Sequence, residues 1–205
     1  MPRLFWWITG LLAGVGLMAA QANAGMGPQE LVKQTSERML EALRAEEERI
    51  KKDPQRLRDL VDEIVLPHFD FERMSKLVLG RYWRRADEGQ QRRFISEFRE
   101  LLVRTYKSAL NEYSEQTISY LPFRGDESEG DVTVKTEVDQ GSGFPIPIDY
   151  SLHLKEGEWK VYDVTIDGVS LVINYRSSFA NEIRQVGIDG LIDKLRSRNE
   201  QEKSG

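Results

Sequence analysis

No cysteine occurs anywhere in the 205 residues. Disulfide staples, thiol nucleophiles and cysteine-ligated metals are excluded, so packing has to hold the fold together. Histidine is almost as scarce. The two histidines, His68 and His153, are far apart in sequence and lack the close ligand spacing of a zinc site, and each reads better as a surface or hydrogen-bonded residue. No phosphate loop or dinucleotide fingerprint is present. A Ser170–His153–Asp163 site is conceivable, but Ser170 stands in G-V-S-L-V and not in a G-x-S-x-G elbow. Asp62-Glu63 and Asp87-Glu88 are adjacent on their helices and point in different directions, so neither is a catalytic carboxylate pair. Basic charge is in deficit, with Lys+Arg 29 against Asp+Glu 34, and this argues against nucleic acid as a partner. Beyond the first 24 residues no run is apolar enough to span a bilayer.

The front end is the exception to that last absence. Positions 4–29 carry no charge, Arg3 precedes them, and Leu4 to Ala20 is an apolar run followed by Ala22-Asn23-Ala24. A positive start, an apolar stretch and a small-x-small site read as a cleaved signal peptide over residues 1–24. An uncleaved anchor is the alternative, but Gly10, Gly14 and Gly16 interrupt the run and no basic stop-transfer cluster follows. With no cysteine at the cleavage site, a lipid-anchored protein is excluded. An exported chain without cysteine suggests a Gram-negative periplasm. Residues 25–205 then form a single α+β domain.

The periodicity divides that domain. Helical patterns fill 28–113, strand patterns 115–175, and helices return over 177–198. Pro28 opens the first helix, which has an apolar face of Leu31, Val32, Thr35, Met39 and Leu43. Asp53-Pro54 starts the next, which Pro67 ends. Asp70 caps a short helix closed by Gly80, and Asp87 with Gln90 reads as a capping box before a long one. The long helix buries a stripe of Phe94, Phe98, Leu101, Leu102, Thr105 and Ala109. About four strands follow, over Gln116–Phe123, Val132–Val138, Ile146–Leu154 and Trp159–Ile166, with Val169–Ile173 extending the last past a kink at Asp167-Gly168. Gln140 to Gly143 and Glu156-Gly157 are the hairpin loops. Sequential hairpins imply an antiparallel sheet, here curved, with a helical bundle on one face. Residues 196–205 form a polar tail.

Trp159 to Phe179 is the most informative stretch. Apolar and aromatic residues fill nearly every other position, and the run reads as apolar on both faces, as at the centre of a fold or the wall of a ligand site. Asp163 and Arg176 are expected to pair and brace its strand-to-helix corner, with Arg176 at a pocket mouth as the alternative. Arg81, Arg84, Arg85, Arg92 and Arg93, interleaved with Tyr82 and Trp83, are the densest basic cluster. They read either as a solvated face or as a patch for phosphate head groups or an acidic partner.

Two strings now stand out together. The first is F-D-F-E-R-M-S-K-L-V-L-G-R-Y-W over Phe69–Trp83, followed by Phe94, Phe98, Leu102 and Tyr106. The second carries Trp159, Tyr162, Asp163, Gly168, Ser170, Leu171, Asn174, Tyr175, Arg176 and Phe179. They resemble the MlaC family, also called the toluene-tolerance auxiliary family, over roughly Pro28 to Arg196. The resemblance implies an NTF2-like curved sheet with a helical bundle. It implies a soluble periplasmic carrier of glycerophospholipids, working between an outer-membrane lipoprotein–porin complex and an inner-membrane complex of MCE protein, permease and ATPase. Phospholipid would be cargo, with no cofactor, no metal and no catalytic residue in this chain.

A diacyl lipid has roughly 30 methylenes, each worth about 0.8 kcal/mol in water, so a carrier must enclose its tails. Candidate lining residues are Leu77, Val78, Phe94, Phe98, Leu101, Leu102, Val134, Ile148, Tyr150, Leu152, Val164, Ile166, Leu171 and Ile173, with Arg81, Arg84, Arg85 and Arg176 for the head group or a partner. Without the resemblance, each lining residue reads as part of a filled core, because interiors are normally close-packed. A periplasmic chaperone or lipoprotein carrier, or an NTF2-like enzyme using Asp163 and Tyr150, are the competing functions.

Overall fold

The structure, a computed structural model, describes residues 25–112, 116–139, 141 and 143–201, with side chains at 107–112 left aside. The expected leader, the Ala109 side chain, part of the Gln140–Gly143 loop and the tail's last residues lie outside the described ones. Helix α1 (Pro28–Ala45) starts at its proline. It is followed by α2 (Glu47–Lys52) and α3 (Pro54–Leu60). A single π turn (Val61–Val65) and a 3₁₀ turn (Leu66–His68) lead on to α4 (Phe71–Leu79). A second 3₁₀ segment (Gly80–Arg85) precedes the long α5 (Glu88–Glu112). Three starts follow the expected chemistry. Asp53 accepts from the Gln55 amide at 3.0 Å, and Asp70 from the Arg73 amide at 2.9 Å. Asp87 and Gln90 exchange side-chain-to-amide bonds at 2.8 and 3.0 Å.

The sheet has five strands where the sequence suggested about four, in the order β1-β2-β3-β4-β5 and antiparallel throughout. They are β1 (Thr117–Tyr120), β2 (Asp131–Asp139), β3 (Ile146–Lys155), β4 (Glu158–Ile166) and β5 (Val169–Ser170). Tight turns at Glu156-Gly157 and Asp167-Gly168 hold both residues at positive φ, the geometry that matches strand twist in a two-residue hairpin. Asp167-Gly168 is therefore a reversal, and the chain does not run on as an extended strand.

Two expectations for the Trp159–Phe179 stretch are corrected. First, β4 is not apolar on both faces. A bulge opposite Ser151 and Leu152 inserts one residue, pairing Leu152 with Val161 but Ser151 with Asp163. The inward positions switch from Trp159 and Val161 to Val164 and Ile166, so one face stays apolar while its phase changes. Second, residues 171–173 are helical. Helix α6 (Leu171–Gln201) begins directly after β5. Ser170 Oγ accepts from the Ile173 amide at 3.1 Å and donates to Asp163 Oδ2 at 2.5 Å, while Asp163 Oδ1 accepts from the Val172 amide at 3.1 Å. This cap turns β-branched residues that favour strands into a first helical turn. It also occupies Asp163, so the expected Asp163–Arg176 brace does not form. Gly187, at φ 75 and ψ 180, breaks α6 so that Leu191, Ile192 and Leu195 fold back into the core.

Candidate functional site

Apolar side chains bury themselves in two separate clusters. The larger joins Val132, Val134, Leu152, Val161 and Val164 of the sheet to α4, α5 and α6. The smaller joins Met39 and Leu43 of α1 to Ile50, Leu57, Leu60, Val61, Ile64 and Val103. Folded domains usually gather one contiguous core. Here the gap between the clusters is hollow.

Two chambers occupy it. The first lies between α1 and the sheet, walled by Leu31, Met39 and Leu43 on one side and Ile118, Val138 and Val161 on the other, with a volume of about 820 Å³ including its open mouth. The second lies between the π turn, α5 and the far end of the sheet, walled by Val61, Leu102, Tyr106, Val164, Ile166 and Leu171, with about 910 Å³ on the same measure. Val65, Phe69, Ile148 and Tyr150 line both, so the chambers share a wall.

The lining is overwhelmingly apolar. Burial, with Tyr175 alongside, pushes the Tyr106 phenol up to about 12, as expected where a charge would be poorly solvated. The polar side chains lining the first chamber are Thr35, Ser36 and His68. Burial lowers the His68 imidazole, and Lys160 and Arg38 add to that, which favours its neutral form.

The shared wall is pinned from behind. Phe69 pairs with Val161 at the open edge of β4, and the Asp70 amide donates to Val161 O at 2.8 Å. Phe69 and Phe71 stack at 5.8 Å. Between them the Asp70 side chain turns away, to Lys155 Nζ at 2.9 Å and His153 Nε2 at 3.1 Å. Burial pushes the Asp70 carboxyl up, but the Arg73 amide, Lys155 and His153 outweigh it and hold it below the usual carboxylate range. His153 is thus engaged with Asp70 and Ser170 with Asp163, so no Ser-His-Asp arrangement is assembled.

Of the residues expected to line a site, Leu102, Ile148, Tyr150, Val164, Ile166 and Leu171 face the chambers. Val78, Phe94, Phe98, Leu101, Val134 and Leu152 are packed in the larger cluster, with Leu77 against it. Phe94 and Phe98 stack on each other and meet Phe179 edge-on, as a filled core does. Ile173 is corrected outright: placed on the first turn of α6, it is 66% exposed. Arg81, Arg84, Arg85 and Arg176 line neither chamber. Sequence reasoning missed Phe69, Phe71, Val65 and the α1 wall. Their signals were present in the apolar face of α1 and the Ile64-Val65-Leu66 run before Pro67, but nothing in a pattern says that a face looks onto space.

Known proteins share this architecture. Residues 33–197 match the family model described as MlaC protein. The chain is 30% identical over 185 residues to the intermembrane phospholipid transport system binding protein MlaC of Haemophilus influenzae, covering 87% of this chain and 85% of that one. It is 31% identical over 180 residues to the toluene tolerance protein ttg2D of Pseudomonas putida, covering 87% and 82%. A phospholipid-binding protein from Ralstonia solanacearum, solved in complex with a phospholipid, superposes with a TM-score of 0.78 at 34% identity, covering 84% of this chain and 97% of that one.

Proposed function

The chain belongs to the MlaC family, and from that premise we propose that it carries glycerophospholipid between membranes, with the acyl tails in the two chambers. The split core carries this reading. A chain that could have closed its two clusters into one instead leaves apolar volume between them, against the dispersion and burial that filling it would gain. Leu102, Ile148, Tyr150, Val164, Ile166 and Leu171 contact the tails, together with Phe69 and the α1 face. The head group lies by Thr35, Ser36 and His68, the polar side chains of the first chamber. Residues 1–24 direct export and are removed, and the mature chain, residues 25–205, works as one domain in the periplasm. Its partners are an inner-membrane complex of MCE protein, permease and ATPase and an outer-membrane lipoprotein–porin complex. It has no catalytic role. The phospholipid-bound relative at 34% identity supports lipid as the cargo, and the intermembrane transport name of the Haemophilus protein supports the route.

Transfer between two vesicle populations tests the carrying step. Donor vesicles with a radiolabelled phospholipid are separated by density from unlabelled acceptors after incubation with the protein. The reading expects label in the acceptors in proportion to protein; transfer no faster than without protein would sink it.

A further inference from the structure

Five arginines gather outside the chamber lining. Arg81, Arg84 and Arg85 project from the 3₁₀ segment, and Arg176 and Arg184 from α6; all are exposed. Arg81, Arg85 and Arg184 meet at Tyr82, and Arg176 lies at Gly80. Arg81 donates to the Tyr82 hydroxyl at 3.0 Å, and Arg85 lies over the same ring at 5.9 Å. Arg184 donates to Asn181 and also reaches Tyr82. The Arg176 guanidinium covers Gly80, 3.1 Å from where a Cβ would stand. None of these arginines forms an ion pair with an acid among the described residues, although the chain as a whole carries a net charge of −5. Nearby acids are already engaged: Asp189 with Arg93 and Gln90, Glu88 with Arg92, Glu182 with Lys194. The hydrogen bond from Arg81 lowers the Tyr82 phenol, as an uncompensated positive field should.

We propose that this arginine face docks the chain onto an acidic protein surface. Guanidinium groups are forks that match carboxylates two bonds at a time, and the patch contains arginine where a diffuse electrostatic surface would do as well with lysine. Contacts with Tyr82, Asn181 and the Gly80 backbone hold the forks of Arg81, Arg85, Arg184 and Arg176 in place before any partner arrives, which favours a fixed set of carboxylates over mobile lipid head groups. An anionic bilayer would also repel the acidic remainder of the chain, whereas a local acidic face meets only the patch. Position gives the docking a use. Arg176 follows Leu171, a wall of the second chamber, by about 7.5 Å of helix rise, and exposed Ile173 stands between them on α6. A partner seated on the arginines lies beside the cargo. The proposal concerns the surface and does not require the cargo reading.

The test uses the mature chain, fluorescently labelled at its amino terminus, with envelope vesicles from the organism that makes it. Protein-free liposomes of the lipids extracted from those vesicles run in parallel. Binding to vesicles and not to liposomes is expected. It should weaken at least about tenfold in R81E/R84E/R85E, fall with added salt, and be lost when vesicle carboxylates are capped by carbodiimide and ethanolamine. Co-purified lipid and the thermal melt should not change. If the triple variant fails to fold, Arg84→Glu alone, at an exposed side chain, should still weaken binding. Equal binding by the folded variants, equal binding to liposomes, indifference to carboxylate capping, absence of vesicle binding, or loss of co-purified lipid with the arginines would each overturn the proposal. Lipid-free wild-type protein that still binds vesicles through the arginines would instead overturn the cargo reading alone.

Discussion

Ile148 and Tyr150 belong to both chambers, so a single side chain there controls most of the hollow. Ile148→Trp adds volume where there is room for it, without the 1–3 kcal/mol or so that overpacking a filled core costs. The expected outcome is a melting temperature equal to or above that of the parent, together with reduced lipid occupancy by native mass spectrometry. Asp70 makes a pH prediction. Its folded pKa is depressed, so its stabilisation is present above the unfolded value of about 3.9 and is lost as pH falls through the lower folded value. Chemical denaturation between pH 6 and 3 should show wild-type stability dropping at the acid end, and Asp70→Asn should be weaker at pH 6 with a flatter profile. Residue identity alone predicted the Asp70 cap, because an Asp before an apolar periodic run has few other uses. It did not predict that His153 and Lys155 would join it, since those contacts cross 83 and 85 positions. Ile173 was misread for a definite reason. Val172 and Ile173 have strand propensity, and the Asp163–Ser170 cap overrides it.

Caps and turns made most elements legible. The long helix is announced by Asp87 and Gln90, and the β3–β4 hairpin by Glu156-Gly157. The π turn at Val61–Val65 has no such signal: its residues read as ordinary helix, yet it lines the second chamber, and π turns recur at functional sites. The bulge in β4 was written in the sequence as a change of phase, from odd apolar positions to even ones, but that pattern is easily taken for a strand apolar on both sides. Gly187 offers the sharpest test at this scale. With φ 75 and ψ 180 it occupies a region essentially reserved for glycine, so Gly187→Ala should lose about 1–3 kcal/mol by urea titration. The loss should come with weaker protection of Leu191–Leu195 amides in hydrogen exchange. A substitution without effect would mean that the kink carries no strain for a side chain.

At the scale of the molecule, the α+β class and the one-sided arrangement of helices could be read from the order of periodicities, because each element has to bury one face. The hollow could not. Leu102 lines a chamber and Leu101 packs in the core, one residue apart in the same helix, and both satisfy the same apolar pattern. What distinguishes them is whether the facing cluster closes the distance, a property of the assembled fold and of no segment in it. The family resemblance implied an enclosed apolar cavity but placed Leu101 and Leu102 in its lining alike, and without it the close packing of interiors favours a filled core. The account therefore stands on the occupancy of the gap between the two clusters. Native mass spectrometry of the mature chain purified without detergent, followed by organic extraction and identification of what it releases, measures this directly. The account predicts bound phospholipid in the wild-type chain and a diminished share in Ile148→Trp. A wild-type chain that is folded and free of lipid, or one with undiminished lipid when the shared wall is filled, would contradict it.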